Sequence, residues 1–220
     1  SEGKRYIILH AGSRNGFITG ADLVFSSTNK SSDYHDSMNA ANFKKWLETQ
    51  LLPQLKVPSI IIMDSAAYHS EVLNRSPTSN WRKGDIQKWL ENYNLPYDQT
   101  MLKAELLGIV KNNKQQKEYA IDSIVSQRGH KVLRLPPYHC QFNPIEMVWG
   151  ICKNYYDSHI GRDGYGDEHV KAMWLEALST VTPEIWAKCV DHAEKEIVDW
   201  WEKEQVIEQQ EVQPLIKKTS

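Results

Sequence analysis

Cysteine is scarce: three residues, Cys140, Cys152 and Cys189, stand in 220, widely spaced and without a C-x-x-C pair. That excludes a secreted disulfide scaffold and points to a reducing compartment. Long apolar runs are also missing. Stretches such as Ile60–Met63 are far too short to cross a bilayer, and no charged segment followed by an apolar one opens the chain, so no membrane association is expected. No excess of one charge exists either, with 26 Lys and Arg against 28 Asp and Glu. A uniformly basic, histone-like nucleic-acid binder is excluded; a local basic groove is not. Repeats and low-complexity tracts are absent. What is present is a globular composition: 40% hydrophobic residues, 25% charged residues and eight tryptophans. The length suits one large domain with an appendage.

The pattern along the chain is mixed α/β. Lys4–His10 is β-branched and aromatic and predicts a strand. A Gly/Asn loop follows, and an extended segment over Phe17–Phe25 completes an antiparallel hairpin. Met38, Phe43, Trp46, Leu47 and Leu51 predict a helix over Ser37–Leu52. The unbroken apolar run Ile60–Met63 suits a strand buried on both faces and ends at Asp64. Residues 71–128 read as a helical insertion, with helices near Trp81–Tyr93 and Leu102–Val110. A strand returns over Lys131–Leu135. Asn143–Pro144 then opens a helix with Ile145, Trp149, Cys152 and Tyr156 on one face. Two more helices are expected near Asp167–Val181 and Pro183–Trp201. The domain is thus expected over 1–204, with a flexible, frayed tail over 205–220.

Two segments carry chemistry. Asp64 ends a strand, where ligands gather in open α/β sheets. Glu146 lies in the first turn of a helix entered from another strand. If those strands are neighbours, the carboxylates face each other and repel unless a cation joins them. Hard ions such as magnesium favour such oxygen-rich sites, and a pair of them stabilises both oxygens of an in-line phosphoryl displacement.

Leu135–Trp149, reading LPPYHCQFNPIEMVW, resembles the third-acid motif of mariner-type transposases of the DDE superfamily, and Asp64–His69, reading DSAAYH, resembles their second-acid motif. The segment Gly3–Ser13, the segment Asp33–Asn39, and Trp46–Leu47 with Leu52–Pro53 fit the same family, so the resemblance spans roughly residues 1–201. It implies a ribonuclease-H-like mixed sheet flanked by helices. It also implies DNA strand cleavage and strand transfer by two Mg2+ or Mn2+ ions, with Asp64 and Glu146 as metal ligands. DNA, meaning transposon ends and target, is the implied partner; a homodimer and a nuclear location follow from that reaction.

The chain departs from the pattern in three ways. Ser65 replaces the usual Asn. The acids lie 82 positions apart, hence the insertion. The first acid, which in the family ends a central strand, has no counterpart, because Glu2 has no strand ahead of it. The expectation is a truncated chain whose strands at Tyr6 and before Asp64 lose a shared neighbour. Purified alone, it is expected to bind metal weakly and cleave little. The alternative is a catalytically inactive, transposon-derived DNA-binding or scaffold protein.

Blander readings stand beside these. Glu146 three residues after Asn143 could close a capping box. His69 and Asn143 are possible supports of the site, His69 equally a structural hydrogen-bonder. Lys153, two turns beyond Glu146, is a phosphate contact or a solvated side chain. Lys111, Lys114 and Lys117 are a DNA track or a solvated face. His139, Cys140, Cys152 and His159 match no standard zinc spacing. Trp200 and Trp201 cannot share one helix side, so one of them is left for a packing surface.

Overall fold

The structure, a computed structural model, describes residues 5–26 and 38–216, with side chains through 206. The Asp33–Ser37 part of the motif-bearing segment therefore lies outside the described residues. The chain is mixed α/β, with seven α-helices and three two-stranded ladders among the described residues.

The expected hairpin is nested. β1 (Tyr6–Leu9) pairs antiparallel with β4 (Leu23–Ser26), and between them β2 (Gly12–Ser13) pairs with β3 (Gly16–Phe17). Gly16 sits at φ +104°, which closes the Arg14–Asn15 turn without a Cβ penalty. Alternation assigns the two faces of the outer pair. Ile7, Leu9, Leu23 and Phe25 join a first core built on Phe43, Trp46, Leu47, Leu51 and Met63. Ile8 and Val24 join a second, built on Val148, Cys152, Trp174 and Trp186. The hairpin is thus sandwiched between helices.

α1 (Ala40–Trp46) starts at Asn39, whose side chain accepts from the Asn42 backbone N–H at 2.9 Å. It runs into a wider π-type turn, Leu47–Leu51, and a 3-10 turn that ends with Pro53 and Gln54. β5 (Ile60–Met63) pairs in parallel with β6 (Lys131–Arg134), Ile60 opposite Lys131 and Met63 opposite Arg134.

Several expectations are corrected here. β5 is not buried on both faces. Met63 and Ile61 face the first core, but Ile60 is 66% exposed and Ile62 45%. The reason is that the C-terminal helices pack on the β1–β4 hairpin, leaving that face of β5 uncovered. The ladders β1–β4 and β5–β6 share a core yet no ladder hydrogen bonds among the described residues, so no single sheet joins them.

The stretch 71–128 also divides. α2 (Lys83–Asn92) and α3 (Lys103–Asn112) enclose a core of their own, Ile86, Trp89, Leu90, Leu106 and Val110. α4 (Ala120–Gln127), unforeseen as a separate helix, buries Ile121 and Val125 in the first core and is the crossover helix of the β5–α4–β6 unit. The insertion is therefore residues 71–119. It stands on a short stalk where Val72 bridges Tyr119, Leu73 N donates to Glu118 O at 2.8 Å and Ala120 N to Glu71 O at 2.9 Å.

α5 (Pro144–His159), α6 (Asp167–Ser179) and α7 (Pro183–Ile216) form the second layer. α7 runs past the expected end at Trp201 and through Pro214. The residues between are strong helix formers (Glu, Lys, Gln), so propensity carries the helix on. Trp200 packs edge-on against His139 and Phe142, while Trp201 is exposed. No described helix is long and apolar enough to cross a membrane.

Candidate active site

Asp64 follows the last residue of β5, and a 3-10 turn, Ala67–His69, carries the chain back under it. The turn exists because Asp64 Oδ1 accepts from the Ala66 backbone N–H at 3.3 Å, an Asx turn. It brings His69, almost fully buried, within 2.7 Å of the same oxygen through Nε2. The other ring nitrogen, Nδ1, lies 3.2 Å from an Arg134 guanidinium nitrogen. Arginine only donates, so Nδ1 presents its lone pair and Nε2 carries the proton given to Asp64. Both ends of the ring demand the same tautomer.

Arg134, the last residue of β6, is itself fixed. It donates to Asp122 Oδ1 of α4 at 2.5 Å, to the His69 carbonyl at 2.8 Å and to Ser70 Oγ at 3.3 Å, and its guanidinium lies 4.0 Å from the centre of the Tyr119 ring. A continuous chain Asp122–Arg134–His69–Asp64 thus ties the crossover helix to the end of the neighbouring strand. The hydrogen bond from His69 is the main reason the Asp64 carboxyl is held below its usual range; partial burial opposes it. The Asp64 side chain remains more than half exposed, and both of its bonds use Oδ1, leaving Oδ2 without a partner.

Glu146 arrives from the other side. The loop after β6 passes Tyr138, fully exposed at φ +67°, and a 3-10 turn, Cys140–Phe142. Asn143 caps α5 by accepting from Ile145 N at 3.4 Å, with Pro144 at the first helical position. No capping box forms, because the Glu146 carboxylate makes no hydrogen bond or ion pair among the described residues. Both carboxylates act on Tyr68. Its phenol is pushed up to about 12, by burial first and then by the charges of Asp64 and Glu146.

Asp64, whose bonds use one oxygen only, and Glu146, without a partner among the described residues, are hard donors of the kind magnesium takes, one or two carboxylates with waters kept. Among the described residues no group of three His, Cys, Asp or Glu is close enough to enclose a metal.

A sequence model of the DDE superfamily endonuclease family matches residues 26–162, well over half the chain and including both Asp64 and Glu146. The chain belongs to this family. No curated protein and no solved structure matches it.

The remaining candidates of this DDE endonuclease chain fall into place by geometry. Lys153 is exposed on α5, seven residues or roughly 10 Å along the axis from Glu146. Lys111, Lys114 and Lys117 are all exposed on the insertion. The imagined zinc set is scattered. Cys152 is buried in the second core, Cys140 is exposed, His139 stacks on Phe142 and His159 on Tyr155. Sequence reasoning missed Arg134 and Asp122. The available signal was an arginine set inside the apolar run Val132–Leu135, where a charge needs a partner.

Proposed function

We propose that the chain is the catalytic part of a mariner-type transposase, a ribonuclease-H-like domain that cuts and rejoins DNA strands with Asp64 and Glu146 as ligands of divalent cations. The observation that carries this reading is a DDE endonuclease family match that holds both Asp64, at the end of β5, and Glu146, in the first turn of α5. Bound Mg2+ or Mn2+ would supply charge stabilisation at the scissile phosphate and an activated water or 3′-hydroxyl.

The chain's own residues do the rest. His69, held by Arg134, keeps one Asp64 oxygen occupied and leaves the other without a partner. Asn143 fixes the first turn of α5 and hence the direction of Glu146. Lys153, and Lys111, Lys114 and Lys117 on the insertion, contact phosphates. On this reading the family's first acid sits on a further strand between β1 and β5, which belong to separate ladders and leave Ile60 and Ile62 uncovered. Pairing of two DNA ends calls for a dimer, and the substrate places the protein in the nucleus.

The test is nicking of supercoiled plasmid in Mg2+ or Mn2+. Residues 1–220 alone are expected to bind metal weakly and nick little. A chain extended by an acid-bearing strand is expected to nick, and to fall to background with Asp64→Asn or Glu146→Gln while still binding DNA. Undiminished nicking by both variants refutes the site; robust nicking by residues 1–220 refutes the need for a further strand. An extended chain that binds DNA without nicking would instead support an inactive, transposon-derived binding protein.

A further inference from the structure

The insertion carries an open cleft that the proposed cleavage site does not use. It has a volume of about 1190 Å³ and lies between the stalk, Glu71–Arg75, and one side of α2. Sites for small ligands run roughly 300–1,000 Å³ and are mostly enclosed, so a cleft of this size, open to solvent, suits a polymer. Three cations line it: Arg75, Arg82 and Lys88, all exposed and none ion-paired among the described residues. Three aromatic residues line it too. Trp81 and Tyr93 are half-buried, and Trp89, 4.5 Å from Tyr93 between ring centres, has a buried Nε1 with no hydrogen-bond partner.

The charge is local. Residues 71–119 hold eight Lys and Arg against six Asp and Glu, a net +2 in a chain of net −2, so the remainder carries −4. Yet Glu71 and Asp85 also line the cleft. A duplex presents one charge per roughly 1.7 Å and is held non-specifically by charge almost alone; two carboxylates in the lining work against it. A single strand has a lower charge density and exposes base faces, which stack on aromatic rings at about 1–3 kcal/mol per base. Free cations interleaved with aromatics fit that ligand better than any other nucleic acid.

Position agrees. Glu71 comes two residues after His69, so the near wall of the cleft begins where the acid-bearing segment ends. Tyr119, opposite Val72 in the stalk, holds the Arg134 guanidinium on its ring. Cleft and candidate active site thus share one support.

We infer that this cleft binds a single DNA strand, the cations taking phosphates and Trp81 with Tyr93 stacking bases. Only the origin of that strand, as one leaving the cleavage site, rests on the proposed function.

The experiment is fluorescence anisotropy of the full chain with a labelled 20-nucleotide single strand and the matching duplex, in EDTA across a salt series. Substituting Arg75, Arg82 and Lys88 together by Ala is expected to weaken single-strand binding at least 10-fold and flatten the salt slope by about 2, roughly 0.7 per lost phosphate contact. Trp81→Ala is expected to weaken it by roughly 5- to 150-fold with the slope unchanged. Trp81→Phe, which keeps a stacking face, restores most of the affinity, and that separates stacking from misfolding. Unchanged affinity and slope in the triple variant overturn the proposal, and so does tighter binding of the duplex than of the single strand. Lys195→Ala, on the exposed face of α7 away from both sites, is expected to bind the strand as wild type does. In the chain extended by an acid-bearing strand, loss of nicking in Asp64→Asn with normal binding in the cleft variants sinks the cleft alone; loss of binding in the cleft variants with nicking indifferent to Asp64 sinks the active site alone.

Discussion

Arg134→Met tests whether the chain of contacts behind Asp64 is a real support. Methionine keeps the length and the apolar stem but removes a guanidinium that is only 13% exposed and serves four residues' worth of contacts: Asp122, His69, Ser70 and the Tyr119 ring. Removing one partner of a buried ion pair costs about 3–5 kcal/mol. Asp122 is about a third exposed, so water recovers part of that, leaving about 2 kcal/mol. The lost bond to the His69 carbonyl adds about 1 kcal/mol. The sum, about 3 kcal/mol, divided by a urea slope of about 2 kcal/mol/M, moves the unfolding midpoint down by about 1.5 M. Asp122→Asn keeps an acceptor and is expected to cost about 1 kcal/mol. In the double variant the two losses overlap by about 1–2 kcal/mol, since Asp122 no longer strands a charge. The assay is equilibrium urea unfolding by tryptophan fluorescence, with constant slope as the check. A midpoint shift under 0.3 M (roughly a fifth of that expected), or simple additivity, refutes the reasoning. A functional reading accompanies it. Behind a metal ligand such a change costs about 10–100-fold in metal affinity or activity, and ring nitrogen shifts report whether His69 keeps its proton on Nε2.

Three further outcomes are expected. Thiol labelling of the native chain modifies Cys140, which is exposed, quickly; Cys152, whose thiol burial pushes up to about 11, and the buried Cys189 react only on unfolding, and fast labelling of Cys152 contradicts its place in the second core. Glu176 is held down to about 2 by Arg162, with Tyr155 also donating to it. A depressed carboxyl contributes stability above its unfolded value, near 4.3, that is lost as pH falls towards 2, so Glu176→Gln flattens stability against pH across that window; an unchanged profile rejects the assignment. Gly12→Ala places a Cβ on the buried ring of Trp186 and is expected to cost about 1–3 kcal/mol, read as a fall in Tm.

The elements that the sequence made legible are those whose signals are local. Asn143–Pro144 announces a cap and a first turn, and α5 starts there. The β-branched and aromatic segments on either side of the Gly/Asn loop announce the hairpin, and β1 pairs with β4. What stayed hidden depends on what lies opposite. Nothing in Ile60–Met63 says that one face stays open, because an apolar run reads the same whether one helix layer covers it or two. α4 reads as part of the insertion because Ile121 and Val125 carry a helical pattern but no mark of which core they enter. For the site, Asp64 and Glu146 stood out through their flanking residues. Arg134 and Asp122 did not, because their meeting is made by a parallel strand pairing and a crossover helix.

The stalk has a consequence for how the chain finds its fold. Ile60 must meet Lys131 across some 70 residues, a slow closure for a parallel pair. The helices between them have their own core and can collapse first, and once Val72 meets Tyr119 the separation that remains is only about 24 residues. By the logarithmic cost of closing a loop, that shortcut is worth about 1 kcal/mol in the search. An insertion that looks like a burden on the topology thus shortens the closure that brings β6 to its partner.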